Sequence, residues 1–227
     1  MREIVLDTET TGMDPHEGHR VIEIGAVELE GHMPTGETLQ LYINPERDVP
    51  AEAVAVHGLT GDFLKDKPTF GEVVGEFMDF INGGKIIAHN AEFDVKFLNY
   101  ELKRFGFPPF RMKNVIDTLA LAREKFPGSP ASLDALCSRF GIDNSSRTLH
   151  GALLDSEILA EVYLELIGGR QHGMSLDEDK KDGVSQSETS ISREYRAPRP
   201  HSPSEDELAA HRKMLDKLKD PLWTQAG

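Results

Sequence analysis

Two acids near the N-terminus, Asp7 and Glu9 in Val5-Leu6-Asp7-Thr8-Glu9-Thr10-Thr11-Gly12, stand two residues apart at the end of an apolar run. On a strand that spacing directs both carboxylates to one face, and the C-terminal ends of strands are where α/β sheets commonly take ligands. Two further acids follow short apolar segments. Asp94 lies in His89-Asn90-Ala91-Glu92-Phe93-Asp94, in the first turn of an expected helix, and Asp155 lies in His150-Gly151-Ala152-Leu153-Leu154-Asp155, near the start of another. Each has a plainer reading alone: a solvated pair, a helix-start acid favoured by the dipole, a histidine at a helix entrance. Together they match one reaction. Hydrolysis of a phosphodiester needs an activated water and charge neutralisation on the attacking and leaving oxygens, and two divalent ions about 3.5–4 Å apart supply both. Hard ions such as Mg²⁺ take carboxylate and water oxygens, so several acids must converge. A histidine, with an ordinary pKa of about 6.5, can accept the proton from the attacking water. Asp7, Glu9, Asp94, Asp155 and His150 fill those positions.

The elements that must bring them together follow from hydrophobic periodicity. Residues 3–7, 21–29, 38–43, 85–88 and 114–116 read as strands, the first ending on Asp7 and followed by a turn at Thr10 to Gly12. A short helix is expected over 52–56. Phe70, Val73, Val74, Phe77, Met78 and Ile81 have helical spacing, which Gly83-Gly84 stops. Helices are also expected over 92–105 and starting at Asp117, Ser132 and about Gly151. Three strands followed by strands alternating with helices indicate a mixed sheet flanked by helices, of α/β or α+β class. Cys137, the one cysteine, falls in an apolar pattern with Leu133, Leu136 and Phe140, and is expected in the core.

The charge balance pulls the other way. The net charge is −14; 11 acids and 9 bases lie from residue 171 onward, so the first 170 residues hold the other 28 acids and 16 bases. Proteins that grip nucleic acid through its phosphates usually present a basic surface. Either the partner is not nucleic acid, or bound cations neutralise the acids and another protein supplies affinity. A lone cysteine and the lack of a secretory signal or of any apolar run near the roughly 20 residues needed to span a bilayer suit a cytoplasmic protein with no membrane association.

The three stretches around Asp7, Asp94 and Asp155, the last beginning at Thr148, occur in an order and at separations that resemble the DEDDh exonuclease family, and within it the proofreading branch that serves bacterial DNA polymerase III. The likeness covers about residues 1–168. His150 stands five residues before Asp155, where the tyrosine subclass would put Tyr at position 151, so the histidine subclass is indicated. The resemblance implies an RNase H-like α/β fold with a five-stranded mixed sheet. It also implies Asp7, Glu9, Asp94 and Asp155 as ligands of two Mg²⁺ or Mn²⁺ ions, His150 as general base, and substrate contacts from Asp7, Glu9, Asp155, Glu52 and His57. The implied reaction is release of 3′-terminal nucleotides as 5′-monophosphates from single-stranded or frayed 3′ DNA ends. Two rivals stay open: an exoribonuclease of the same family, whose metals would read the same phosphates, and an adaptor with a vestigial site.

Beyond the expected catalytic domain (residues 1–170), Gln171-His172-Gly173-Met174-Ser175-Leu176 resembles a peptide for the beta sliding clamp, with Gln171, Met174 and Leu176 as its contacts. Residues 177–203, rich in Ser, Asp, Glu, Lys and Pro, read as a disordered linker because they offer too little apolar surface to offset chain entropy. Ser204, with Glu207 three positions on, is expected to cap a short helix bearing Leu208, Met214, Leu215 and Leu218 and followed by Pro221 and Trp223. By its likeness to the family, the segment 204–227 would dock on the alpha (catalytic) subunit of DNA polymerase III.

Overall fold

The computed structural model describes residues 1–145, 147, 149–169 and 202–217. A five-stranded sheet runs in the order β3-β2-β1-β4-β5. Its strands are β1 (Arg2–Thr10), β2 (Val21–Glu30), β3 (Met33–Tyr42), β4 (Lys85–Ala88) and β5 (Val115–Asp117). The first three pair antiparallel, whereas β1–β4 and β4–β5 pair parallel. The helices of this unit are α1 (Ala51–His57), α2 (Gly61–Leu64), α3 (Phe70–Ile81), α4 (Ala91–Arg104), α5 (Thr118–Lys125), α6 (Leu133–Phe140) and α7 (Ala152–Leu166). The mixed sheet flanked by helices is the architecture that the sequence led us to expect.

Alternation along β1 builds two cores. Ile4 and Leu6 face α3 and α4, where Phe70, Phe77, Phe97 and Leu98 are fully buried. Val5 faces the other layer with Ile87, Leu136, Cys137, Leu159 and Val162. Cys137 is thus a core residue, as its apolar surroundings indicate. Each such fully buried aliphatic or aromatic side chain contributes about 1.5–3 kcal/mol of hydrophobic stabilisation.

Two strands are longer than periodicity suggests. β1 continues past Asp7 to Thr10, because Asp7, Thr8 and Glu9 pair with Gly25, Ile24 and Glu23 before the register shifts between Glu9 and Thr10. Glu9 therefore sits within the ladder and not in a turn. β3 begins at Met33 and not at Thr38; its first six residues are exposed and carry no alternation to read, and the hairpin from β2 pairs Met33 and Pro34 with Glu30 and Leu29 before an irregularity in register. α3 keeps the expected bounds, with Glu72 accepting from the Thr69 backbone N–H at 2.7 Å. α2 carried no separate signal; its four residues are held by Thr60, whose hydroxyl accepts from the Phe63 N–H.

Helix α8 (Glu205–Leu215) belongs to a separate unit. Ser204 and Glu207 form the expected capping box, the Ser204 N–H donating to the Glu207 carboxylate at 2.7 Å. No residue of α8 is buried, and Leu208 and Met214 are 41% and 51% exposed. Gln171, Met174, Leu176, residues 177–201 and the tail from Leu218 through Trp223 lie outside the described residues.

Candidate active site

The four acids and the histidine converge. Asp7, Glu9, Asp94, His150 and Asp155 line one cleft of about 640 Å³, together with Thr8, Met13, His89, Phe93, Arg123, Asp134 and Arg147. Each arrives by a different route. Asp7 and Glu9 share the face of β1 that carries Val5. Asp94 enters from the first turn of α4, where it is 3% exposed and accepts from the Thr8 hydroxyl at 2.7 Å. The entry to α4 is sharp: Asn90 has φ 62°, a left-handed conformation that Asn tolerates better than most residues. The Asn90 N–H donates to Asp117 at the end of β5.

Asp155 is placed by a close approach of α7 to the sheet. A Cβ on Gly25 would come within 2.1 Å of the Ala152 backbone, and the Ser156 hydroxyl donates to the Gly25 carbonyl at 3.0 Å. Only glycine there lets the helix start lie over the β1–β2 pair, directly beside Asp7, the partner of Gly25 in the ladder. Glu23, 1% exposed, accepts from the Ala152 N–H at 3.2 Å and so satisfies one of the free donors at the start of α7. His150, with its side chain 47% exposed, is held by its backbone: its N–H donates to the Val56 carbonyl of α1 at 3.1 Å. Its Nδ1 lies 3.6 Å from Asp155.

A second pocket of about 530 Å³ shares Thr8, Glu9, Met13 and Phe93 with the cleft and adds Thr10, His19, Glu52, Val56 and His57. Glu52 and His57 thus stand beside the acids. The Leu59 N–H donates to His57 Nδ1 at 3.0 Å, which leaves the ring hydrogen on Nε2 in the neutral form; Nε2 is buried without a well-formed hydrogen bond. Burial, and then His150, push the His57 pKa down.

The cleft is short of positive charge. Burial, and then Asp94, Glu9 and Asp155, hold the Asp7 carboxyl well above its ordinary 3.8. Glu9 is raised from 4.5 to about 8 by burial, Asp155, Glu23 and Asp94, with Arg147 opposing. Asp94 is raised to about 7, chiefly by burial, against the pull of its hydrogen bond from Thr8. Like carboxylates at one site raise one another in this way until a cation or proton intervenes. The donor set fits a hard divalent ion: Glu9, His150 and Asp155 each bring a ligand atom within 4.8 Å of the others.

Three participants gave no warning in the sequence. Arg147 donates from Nε and Nη2 to the two oxygens of Asp155, at 2.5 and 2.9 Å, and from Nη1 to Asp134 in the first turn of α6 at 2.9 Å. Glu23 lies among the residues of β2 and Asp134 in the first turn of α6, positions that by themselves carry no sign of a role here. The one hint for Arg147 is its position three residues before His150.

Comparison with known proteins agrees with this geometry. The exonuclease family model, of RNase T type, matches residues 4–163. The DNA polymerase III subunit epsilon of Rickettsia conorii is 48% identical over 223 residues, covering 96% of each chain. That of Escherichia coli K12 is 49% identical over 228 residues, covering 96% of this chain and 93% of the other. Among solved structures, the nuclease domain of 3′hExo, a DEDDh family member bound to rAMP, superposes with a TM-score of 0.61 at 23% identity, covering 73% of this chain and 91% of that one. With its exonuclease domain and 48–49% identity to such subunits over nearly its whole length, the chain belongs to the exonuclease family, in the branch of the DNA polymerase III epsilon subunits.

Proposed function

We propose that the chain proofreads DNA synthesis by removing nucleotides one at a time from 3′ ends as 5′-monophosphates, with two Mg²⁺ or Mn²⁺ ions held by Asp7, Glu9, Asp94 and Asp155. The observation that carries this reading is the meeting of four carboxylates and His150 in one cleft, with Asp7, Glu9 and Asp94 held far above their ordinary pKa. When bound, the ions neutralise charge on the attacking and leaving oxygens and make the attacking water more acidic. His150 takes the proton from that water, its half-exposed ring standing beside Asp155. Glu52 and His57 line the adjoining pocket, where they receive the terminal nucleotide, the buried Nε2–H of His57 finding an acceptor on it. Glu9, common to both pockets, ties the nucleotide to the reacting phosphate, and Asp7 and Asp155 complete the contacts to it.

Selectivity for errors needs no base-specific contact, since a mismatched terminus unpairs at lower cost than a matched one. The acidic domain acts in a complex. Gln171, Met174 and Leu176 engage the beta sliding clamp, and residues 204–227 engage the alpha subunit of DNA polymerase III, the exposed Leu208 and Met214 of α8 offering the apolar contacts. Tethering of this kind raises the local concentration of 3′ ends, to about millimolar for short linkers. Such a protein works in the cytoplasm; among the described residues no helix is long and apolar enough to cross a membrane.

The test is hydrolysis of a 3′-mismatched DNA primer, with an RNA strand in parallel, by the full chain and by Asp7→Ala. The variant should lose at least about a hundredfold in rate, because the ions supply most of the acceleration. Equal rates would refute the site, and preference for RNA would refute the proofreading role. Removing residues 171–227 should leave hydrolysis intact and abolish co-purification with the alpha subunit and the clamp.

A further inference from the structure

We propose that Arg147 is a built-in counter-cation for Asp155 and competes with divalent ions for that carboxylate. This rests on the reading of Asp155 as a metal ligand given above. The guanidinium is 8% exposed, and it spans Asp155 with one donor on each carboxylate oxygen. Such a two-pronged pair fixes the carboxylate plane as well as neutralising it. An ion that takes an Asp155 oxygen must either displace an arm of the guanidinium or share that oxygen with it at close range. Two cations on one carboxylate also repel each other. The same carboxylate is one of the three groups, with Glu9 and His150, whose ligand atoms converge within 4.8 Å.

Arg147 Nη2 also lies 2.9 Å from His150 Nδ1 and 3.4 Å from Nε2, close to both ring nitrogens and so on the lone-pair axis of neither. The guanidinium stays protonated in proteins, so it opposes a second cation at Asp155 at every working pH. Asp134, accepting from Nη1, has its side chain 60% exposed and is braced by Asn144. It gives the guanidinium somewhere to remain after Asp155 has been surrendered.

Mn²⁺ binding measured by calorimetry on the full chain without DNA separates the possibilities. Arg147→Gln should bind Mn²⁺ more tightly by about tenfold or more, whereas loss of a merely supporting outer-shell partner would weaken binding by about 10–100-fold, and Arg147→Lys should fall between it and the unaltered protein. In chelator Arg147→Gln should melt lower, because a buried Asp155 is left unpaired, and Mn²⁺ should raise its melting temperature by more than it raises that of the unaltered protein. Unchanged or weaker Mn²⁺ affinity in Arg147→Gln would overturn the inference. Asp155→Asn tells that failure apart from failure of the site: if this variant binds Mn²⁺ normally, Asp155 is no ligand and the proposed active site falls first.

Discussion

The same domain buries acids in two opposite ways. Behind the sheet, Glu101 is 1% exposed and accepts from Arg20 Nε at 2.5 Å and from Nη2 at 3.1 Å, while Arg20 Nη1 donates to the Pro45 carbonyl at 3.2 Å. Glu3, equally buried, accepts from the Tyr163 hydroxyl at 2.9 Å and pairs with His32 at 2.7 Å. In the cleft, Arg147 pairs with Asp155 and Asp134, while among the described residues Asp7, Glu9 and Asp94 have no basic partner and are pushed far up the pH scale. Acids that serve architecture come with their partners built in. Those that serve chemistry are left under-neutralised, so that the missing charge must arrive from outside. Their mutual repulsion is a cost to stability that the rest of the fold carries, a pattern common at functional sites.

That contrast can be broken most directly at Arg20. Arg20→Ala strands Glu101 in the core and should cost about 3–5 kcal/mol, as removal of one partner of a buried pair does. Urea unfolding measures it, and a loss below 1 kcal/mol would place the pair among weak surface bridges. Next comes the helix start that brings Asp155 over β1. Gly25→Ala puts a methyl group 2.1 Å from the Ala152 backbone and should cost about 1–3 kcal/mol, in the range for overpacking. It should also slow hydrolysis, since α7 must lift to make room; a stable variant with full activity would show that the close approach is unnecessary.

A pH dependence sharpens the other half of the comparison. Glu9 ionises near 8 in the folded protein and near 4.5 in the unfolded chain, so between those values the folded state binds more protons and its stability falls as pH rises. Glu9→Gln should flatten that decline in chelator and leave the variant at least as stable as the unaltered protein at pH 8. Mn²⁺ should flatten it for the unaltered protein too. Thermal melts across pH 4.5–8 decide the matter, and parallel curves for the two proteins would mean that Glu9 is already neutralised from within.

Much of this site was readable from residue types and spacing, because the acids sit where local rules place them. Asp7 and Glu9 obey strand alternation. Asp94 and Asp155 stand in first turns of helices whose starts are marked by Asn90 and Gly151. The helix over Phe70–Ile81 and the Ser204 capping box are local as well, and both occur as the spacing indicates. The full lengths of β1 and β3 were not readable, since pairing with β2 extends them through residues with no pattern of their own. Arg147 was hidden for a different reason. It lies in an irregular segment before α7, and nothing in an Arg-x-x-His stretch says which carboxylate the guanidinium will meet.

Sequence alone determined which groups could do chemistry here and which elements would carry them, because alternation and helix capping act within a few residues. Tertiary structure decided what those groups feel. The guanidinium on Asp155, the Glu23 carboxylate at the start of α7 and the hydroxyl of Thr8 on Asp94 come from segments 8, 129 and 86 residues away. Burial and charge depend on distances in space, and those distances exist only once the sheet has closed around the cleft.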